Sequence, residues 1–125
     1  MPNTRTARIS LTGDGVVVVK IRHGVTQSLE DAQANLTAAI DATAGRRRPL
    51  LVDIRGSQPV DAAVRHHYSG TLVADHFSAL ALVIDSTPLG RMMGNVYFRV
   101  AHLDIPKQLF ADESEATKWL TPYTM

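Results

Sequence analysis

The 125-residue chain contains no cysteine. A disulfide framework, a thiol nucleophile and a thiolate-held metal are all excluded, and the composition suits a reducing compartment. Excess charge is missing too. Thirteen lysines and arginines face 12 aspartates and glutamates, for a formal net charge of +1. That balance supplies no overall field to draw in nucleic acid or an anionic membrane. Long apolar runs are also lacking. The longest lies near residues 79–84, far short of the roughly 20 residues that span a bilayer, so no membrane span is expected. Residues 1–8 are polar and lack the apolar segment of a secretory leader, so a cytoplasmic location is expected. No repeat, low-complexity tract or interdomain linker interrupts the chain. One domain over residues 1–125 is the expectation, long enough to bury a core without cross-links.

Several chemical signatures are absent as well. There is no G-x-x-x-x-G-K-[ST] phosphate loop and no G-x-G-x-x-G dinucleotide turn. No serine sits in a G-x-S-x-G elbow. The five histidines are His23, His66, His67, His76 and His102. None pairs with another at the three- or four-residue step of a helix-borne metal site, and the adjacent His66 and His67 point about 100° apart on a helix. Neither a metal nor a cofactor is expected, and no catalytic residue is assigned.

The local patterns that are present order themselves readily. Residues 7–12 alternate as a strand, Gly13-Asp14-Gly15 marks a tight turn, and residues 16–22 are β-branched; together they predict an antiparallel hairpin. Residues 28–44 predict a helix with Ser28 and Asp31 as a capping pair and Gly45 as its stop. Its apolar stripe runs through Leu29, Ala32, Leu36, Ala39 and Ile40. Arg46-Arg47-Arg48 follows, either as a basic helix end suited to the macrodipole or as an anion-binding patch. Residues 49–54 and 77–84 read as strands buried on both faces. Between them residues 60–73 predict a second helix, weakened at Gly70. Pro88 opens a third helix behind Ser86 or Thr87. A short strand over residues 107–110 follows, then a helix that Asp112 and Glu115 begin as a capping box. The order β-β-α-β-α-β-α-β-α predicts an α/β domain, a four- or five-stranded mixed sheet flanked by about four helices.

That order resembles the SpoIIAA-like (STAS-like) domains of anti-sigma-factor antagonists. Those domains carry a stretch D-L-S-G-V-x-x-x-D-S-S-G between the third strand and the second helix. The corresponding stretch here runs Asp53-Ile54-Arg55-Gly56-Ser57-Gln58-Pro59-Val60-Asp61-Ala62-Ala63-Val64, with both aspartates and the first glycine in register. A second pattern, Arg91-x-x-Gly94-Asn95, Pro106-x-x-x-Phe110 and Ala116-x-x-Trp119-Leu120, is similar to a group of uncharacterised SpoIIAA-like bacterial proteins. The resemblance implies the fold. It does not carry over the regulatory phosphorylation, because the two serine positions hold Ala62 and Ala63 and the following glycine is Val64. Ser57 stands in the preceding loop, where turn hydrogen bonding accounts for it.

Open α/β sheets place ligands at the carboxyl ends of their parallel strands. Asp53, Arg55, Ser57, Asp61, Arg91 and Asn95 belong to that end, which makes them the candidate binding residues. Helix N-termini there offer free N–H groups, and Arg55 and Arg91 would suit a carboxylate or phosphate. Alternatively Asp61 caps the second helix and Arg55 pairs with it. Paired carboxylates among Asp53, Asp61 and Asp85 could serve acid–base chemistry or simply cap helices and anchor loops. Met92, Met93, Tyr97 and Phe98 form an apolar helix face that serves either the core or a symmetric homodimer.

Three functions compete. The first is a regulatory protein-interaction module without the serine switch. The alternative is a carrier of a small apolar or lipid-like ligand held beneath the third helix. The third is an enzyme of unrecognised motif. An exposed apolar patch would favour the first, a ligand-sized apolar pocket the second, and convergent perturbed polar groups the third.

Overall fold

The computed structural model describes residues 3–68, 70–100 and 104–124, and for Met93 and residues 96–100 it describes the backbone alone. Strands β1 (Ala7–Leu11) and β2 (Val17–Ile21) form the predicted hairpin and pair antiparallel, Ile9 opposite Val19. Helix α1 (Leu29–Ala42) leads to β3 (Arg48–Asp53). Helices α2 (Ala62–Tyr68) and α3 (Thr71–His76) lead to β4 (Phe77–Val83), and α4 (Pro88–Val100) leads to β5 (Lys107–Phe110). The chain closes with α5 (Glu113–Leu120) and a 3₁₀ turn, Thr121–Thr124. The sheet runs β1-β2-β3-β4-β5, and every pair after the hairpin is parallel. Both β3 and β4 are interior, as their continuous apolar character requires.

The helix ends follow from specific residues. Ser28 and Asp31 form a complete capping box on α1: Asp31 N donates to Ser28 Oγ at 3.2 Å and Ser28 N to Asp31 Oδ2 at 2.9 Å. Thr87 caps α4, its Oγ1 accepting from Gly90 N at 3.1 Å. The arginine run closes two helix ends. Arg48 Nε donates to Thr43 O at the end of α1, and Arg47 donates to Ala74 O and Phe77 O at the end of α3. These cations meet terminal carbonyls that have no intrahelical partner.

Two expectations are corrected. The single helix over residues 60–73 is two helices, because Gly70 takes an extended conformation (φ −79°, ψ −179°) and restarts the chain as α3. Asp112 caps α5 by accepting from Ser114 N at 2.7 Å. Glu115, however, turns outward to Lys118 at 3.9 Å rather than completing a box.

Alternate residues of each strand feed separate cores. Val17, Val19, Ile21, Leu50 and Leu80 face α1 and α3, with Leu36, Ala39 and Val73 packed against them. Val18, Leu51, Ala81 and Val83 face α5, where Ala116 and Leu120 are fully buried. Trp119 stacks obliquely between Phe110 and Tyr123, at ring separations of 5.7 and 5.3 Å. No helix among the described residues is long and apolar enough to cross a membrane.

Leu120 has no exposed surface, so Leu120→Ala is expected to cost about 3 kcal/mol, within the range for truncating a buried leucine. Trp119 is only partly buried, and Trp119→Ala should cost less, about 2 kcal/mol on the same scale. Urea denaturation of the two variants measures both, and a larger loss for Trp119→Ala would reverse this ranking of the α5 core.

Candidate functional site

The parallel strands β2, β3, β4 and β5 lie in sequence order, so right-handed crossovers place all three connecting helical segments on one face. They are not equally close to it. Helix α1 packs on β1 and β2, and α3 on β4, whereas α2 rests on α1 and α4 rather than on the sheet. A cavity of about 240 Å³ lies in the space beneath. Its floor is the sheet, through Val19, Ile21, Leu50, Val52 and Leu82. Its roof includes Leu36 and Ala39 of α1, Tyr68 of α2, Val73 of α3 and Met92 of α4. Gln58, Pro59 and Met92 also line it while exposed on the outer surface, and they mark its mouth.

Helix α4 is seated by two glycines on one face. A Cβ at Gly90 would lie 2.4 Å from Asp85 O, and one at Gly94 would lie 3.0 Å from Leu109 Cδ2 and 3.1 Å from Ile84 Cγ2. Only glycine lets the helix approach so closely, which accounts for Gly94 in the Arg91-x-x-Gly94-Asn95 pattern. The glycine in register with the antagonist motif is likewise structural. Gly56 has φ +75°, and a Cβ there would lie 2.9 Å from His23 Cγ. Its N donates to Asp85 Oδ2 and its O accepts from Gly24 N.

The predicted binding residues fall on different sides of the sheet. Asp53 shares the face of Leu51, toward α5, and grips Arg55: its Oδ1 accepts from Arg55 N and Nε at 3.0 Å each, its Oδ2 from Nη2 at 2.7 Å. Hydrogen bonding to Asp53 raises the Arg55 pKa, so the guanidinium keeps its charge. Arg55 therefore pairs with Asp53 and not with Asp61. Asp61 caps α2, accepting from Val64 N at 3.1 Å. Ser57 lines the cavity and donates from Oγ to Ile54 O at 2.7 Å. Arg91 and Asn95 are exposed on α4. Ala62 and Ala63 are exposed in the first turn of α2. Met92 is 56% exposed; the side chains of Met93, Tyr97 and Phe98, and His102 entirely, lie outside the described residues. Among those residues no three metal-capable side chains converge.

Residues missed in the sequence build the polar end of the cavity. Asn35, 1% exposed, donates from Nδ2 to Thr6 Oγ1, Gln27 Oε1 and Tyr68 Oη at 2.9, 3.1 and 3.2 Å. Thr4 donates to its Oδ1. Tyr68 Oη in turn donates to Gln27 Oε1 at 2.6 Å. The available signal was Asn35 itself, a polar residue inside the Ala32–Leu36–Ala39 stripe, since a buried amide needs partners.

Burial pushes the Tyr68 hydroxyl up to about 12, outweighing the Asn35 hydrogen bond, which favours the phenolate. An unfolded tyrosine ionises near about 10. Tyr68 therefore contributes stability that is complete below about pH 10 and is lost as pH rises toward about 12. Denaturant midpoints measured from pH 9 to 12 should fall more steeply for the native protein than for Tyr68→Phe; parallel curves would contradict the buried hydroxyl.

Comparison with known proteins identifies the fold and the family. A crystal structure of an uncharacterised protein of the DUF3478 family with a SpoIIAA-like fold, from Shewanella loihica PV-4, superposes with a TM-score of 0.62 at 17% identity, covering 96% of this chain and 98% of that one. A protein of unknown function from Arthrobacter sp. FB24 is 23% identical over 96% of each chain, with a TM-score of 0.36. No curated protein matches the sequence. The five-stranded architecture is thus the SpoIIAA-like fold. A family defined as a domain of unknown function (DUF7793) matches residues 9–124, and the chain belongs to that family.

Proposed function

We propose that the protein binds a small apolar ligand in the cavity between its sheet and helices α1, α2 and α4. The observation that carries this reading is an apolar space of about 240 Å³ inside the larger of two cores. Protein interiors normally pack with few voids larger than a water molecule. An apolar cavity of about 150 Å³ stays dry and accepts benzene, so this one has room for a somewhat larger guest. Sites for drug-sized ligands begin at about 300 Å³, which limits the guest to a small molecule. The exposed lining residues Gln58, Pro59 and Met92 give it a way in.

Binding rather than catalysis suits the wall. The buried polar groups Asn35, Gln27 and Tyr68 satisfy one another, and the aspartates at the strand ends are engaged with Arg55, with Gly56 N and with the start of α2. A second reading, docking of a protein partner or of a second copy, draws on Leu89 and Met92. They lie three residues apart on α4 and are 54% and 56% exposed.

Calorimetry with toluene and 1-octanol tests the first reading. Saturable binding with a negative heat-capacity change is expected, the mark of apolar burial. Ala39→Phe places a benzene-sized ring in the cavity and should abolish binding with little loss of stability. Absence of saturable binding to the native protein would remove the reading. Light scattering tests the second, and a monomeric mass at micromolar concentration would leave no homodimer.

A further inference from the structure

Resting on the apolar-ligand reading, we infer that the preferred occupant is an uncharged carbonyl compound, a ketone or ester with an apolar chain, whose carbonyl oxygen accepts from Gln27 Nε2. Gln27 lines the cavity and is 6% exposed. A primary amide offers two lone pairs on its oxygen and two N–H groups on its nitrogen. The Asn35 cluster uses the oxygen in full: Gln27 Oε1 accepts from Asn35 Nδ2 at 3.1 Å and from Tyr68 Oη at 2.6 Å. Asn35 Nδ2 can only donate, so the oxygen of Gln27 faces it and the nitrogen forms the other branch. That nitrogen takes no part in the cluster and donates to no group among the described residues. What the Gln27 amide has left to offer the cavity is therefore a donor. A donor left unbonded in so buried a side chain is costly, and a guest that brings an oxygen to it removes that cost.

The rest of the wall favours a head that accepts and does not donate. Val19, Leu36, Leu50 and Val52 give the guest apolar contact and no second polar side chain. A hydroxyl could accept from Gln27 Nε2, but its own hydrogen would then need an acceptor, and the neighbouring Gln27 Oε1 already holds two bonds. A carbonyl has no hydrogen to place. A carboxylate would set a buried charge against a neutral amide, at the desolvation cost of an ion. Arg65 also lines the cavity, but it is engaged, with Val60 O among its partners, and no part of the ligand is assigned to it. Size follows from volume. At about 30 Å³ per water-sized group, about 240 Å³ holds about eight non-hydrogen atoms, the size of 2-heptanone.

The test is titration of the intact, isotope-labelled chain at neutral pH, followed by nuclear magnetic resonance. The ligands are 2-heptanone, 1-heptanol, hexanoate and 2-methyl-1-heptene, the hydrocarbon in which CH₂ replaces the ketone oxygen. In the native protein 2-heptanone should move the side-chain N–H signals of Gln27 downfield, and 2-methyl-1-heptene should bind without doing so. 2-Heptanone should bind about tenfold more tightly than 1-heptanol or hexanoate, the margin of one polar group left unpaired. Gln27→Met keeps the length of the side chain and removes the donor. It should weaken 2-heptanone about tenfold and leave 2-methyl-1-heptene unchanged. If both bind but the Gln27 signals stay in place with the ketone, the inference is overturned and the apolar-ligand reading stands. Tighter binding of 1-heptanol or hexanoate than of 2-heptanone has the same result. Equal weakening of ketone and hydrocarbon by Gln27→Met overturns the inference too, since Gln27 would then act through the fold. Failure of every ligand overturns both. The Gln27 signals of the native protein decide the matter even if Gln27→Met does not fold.

Discussion

Four parallel strands laid side by side in chain order leave each right-handed crossover the same face to occupy. In this chain that rule sends α1, the α2–α3 pair and α4 across one side of β2, β3, β4 and β5, and leaves the other side to α5. Three crossovers must share a face only as wide as the strands they connect. The sequence meets this crowding by breaking the middle crossover at Gly70: α3 drops onto β4, and α2 is carried above the sheet on α1 and α4. The cavity is the consequence, because an elevated helix cannot fill the space over the centre of the sheet.

The two faces make the point by contrast. On the α5 side one helix covers β3, β4 and β5, and its Ala116, Leu120 and Trp119 pack against residues of the strands. Both faces draw on the same strands, alternate by alternate. The cavity therefore reflects how the helices are hung, not the strands themselves. The seat of α4 sharpens this. Gly90 and Gly94 draw that helix down at the carboxyl ends of β4 and β5, closing one side of the cavity while its neighbour α2 stays raised.

Much of the fold could be read from residue pattern. Alternation at residues 7–12 and the apolar runs at 49–54 and 77–84 carry two different periodicities, and those suffice to separate an antiparallel hairpin from buried parallel strands. Ser28, Thr87 and Asp112 announced three helix starts through the chemistry of their side chains. The break at Gly70 was half visible: the residue was a recognisable weak point, but whether a helix bends or restarts there depends on where β4 must begin. The site was far less readable. Its floor residues, Val19, Leu50 and Val52, are chemically indistinguishable from filled core, and a void has no residue of its own. The carboxyl-end rule gathered Ser57, whose loop lines the cavity. It also gathered Asp53 and Arg55, which strand alternation turns to the opposite face.

Asn35 shows why the hollow is compatible with a stable protein. A buried amide without partners would cost about 1–3 kcal/mol. Here it holds Thr6 before β1, Gln27 before α1 and Tyr68 at the end of α2 in one hydrogen-bonded cluster. These bonds fix α2 to α1 and to the hairpin edge independently of any apolar contact between α2 and the sheet. The helix can therefore stand off the strands without relying on close packing beneath it. Directional hydrogen bonds set its height where packing would have pulled it down. A guest of the kind proposed would enter a space whose roof is already positioned and would not need to spend binding energy on raising a helix.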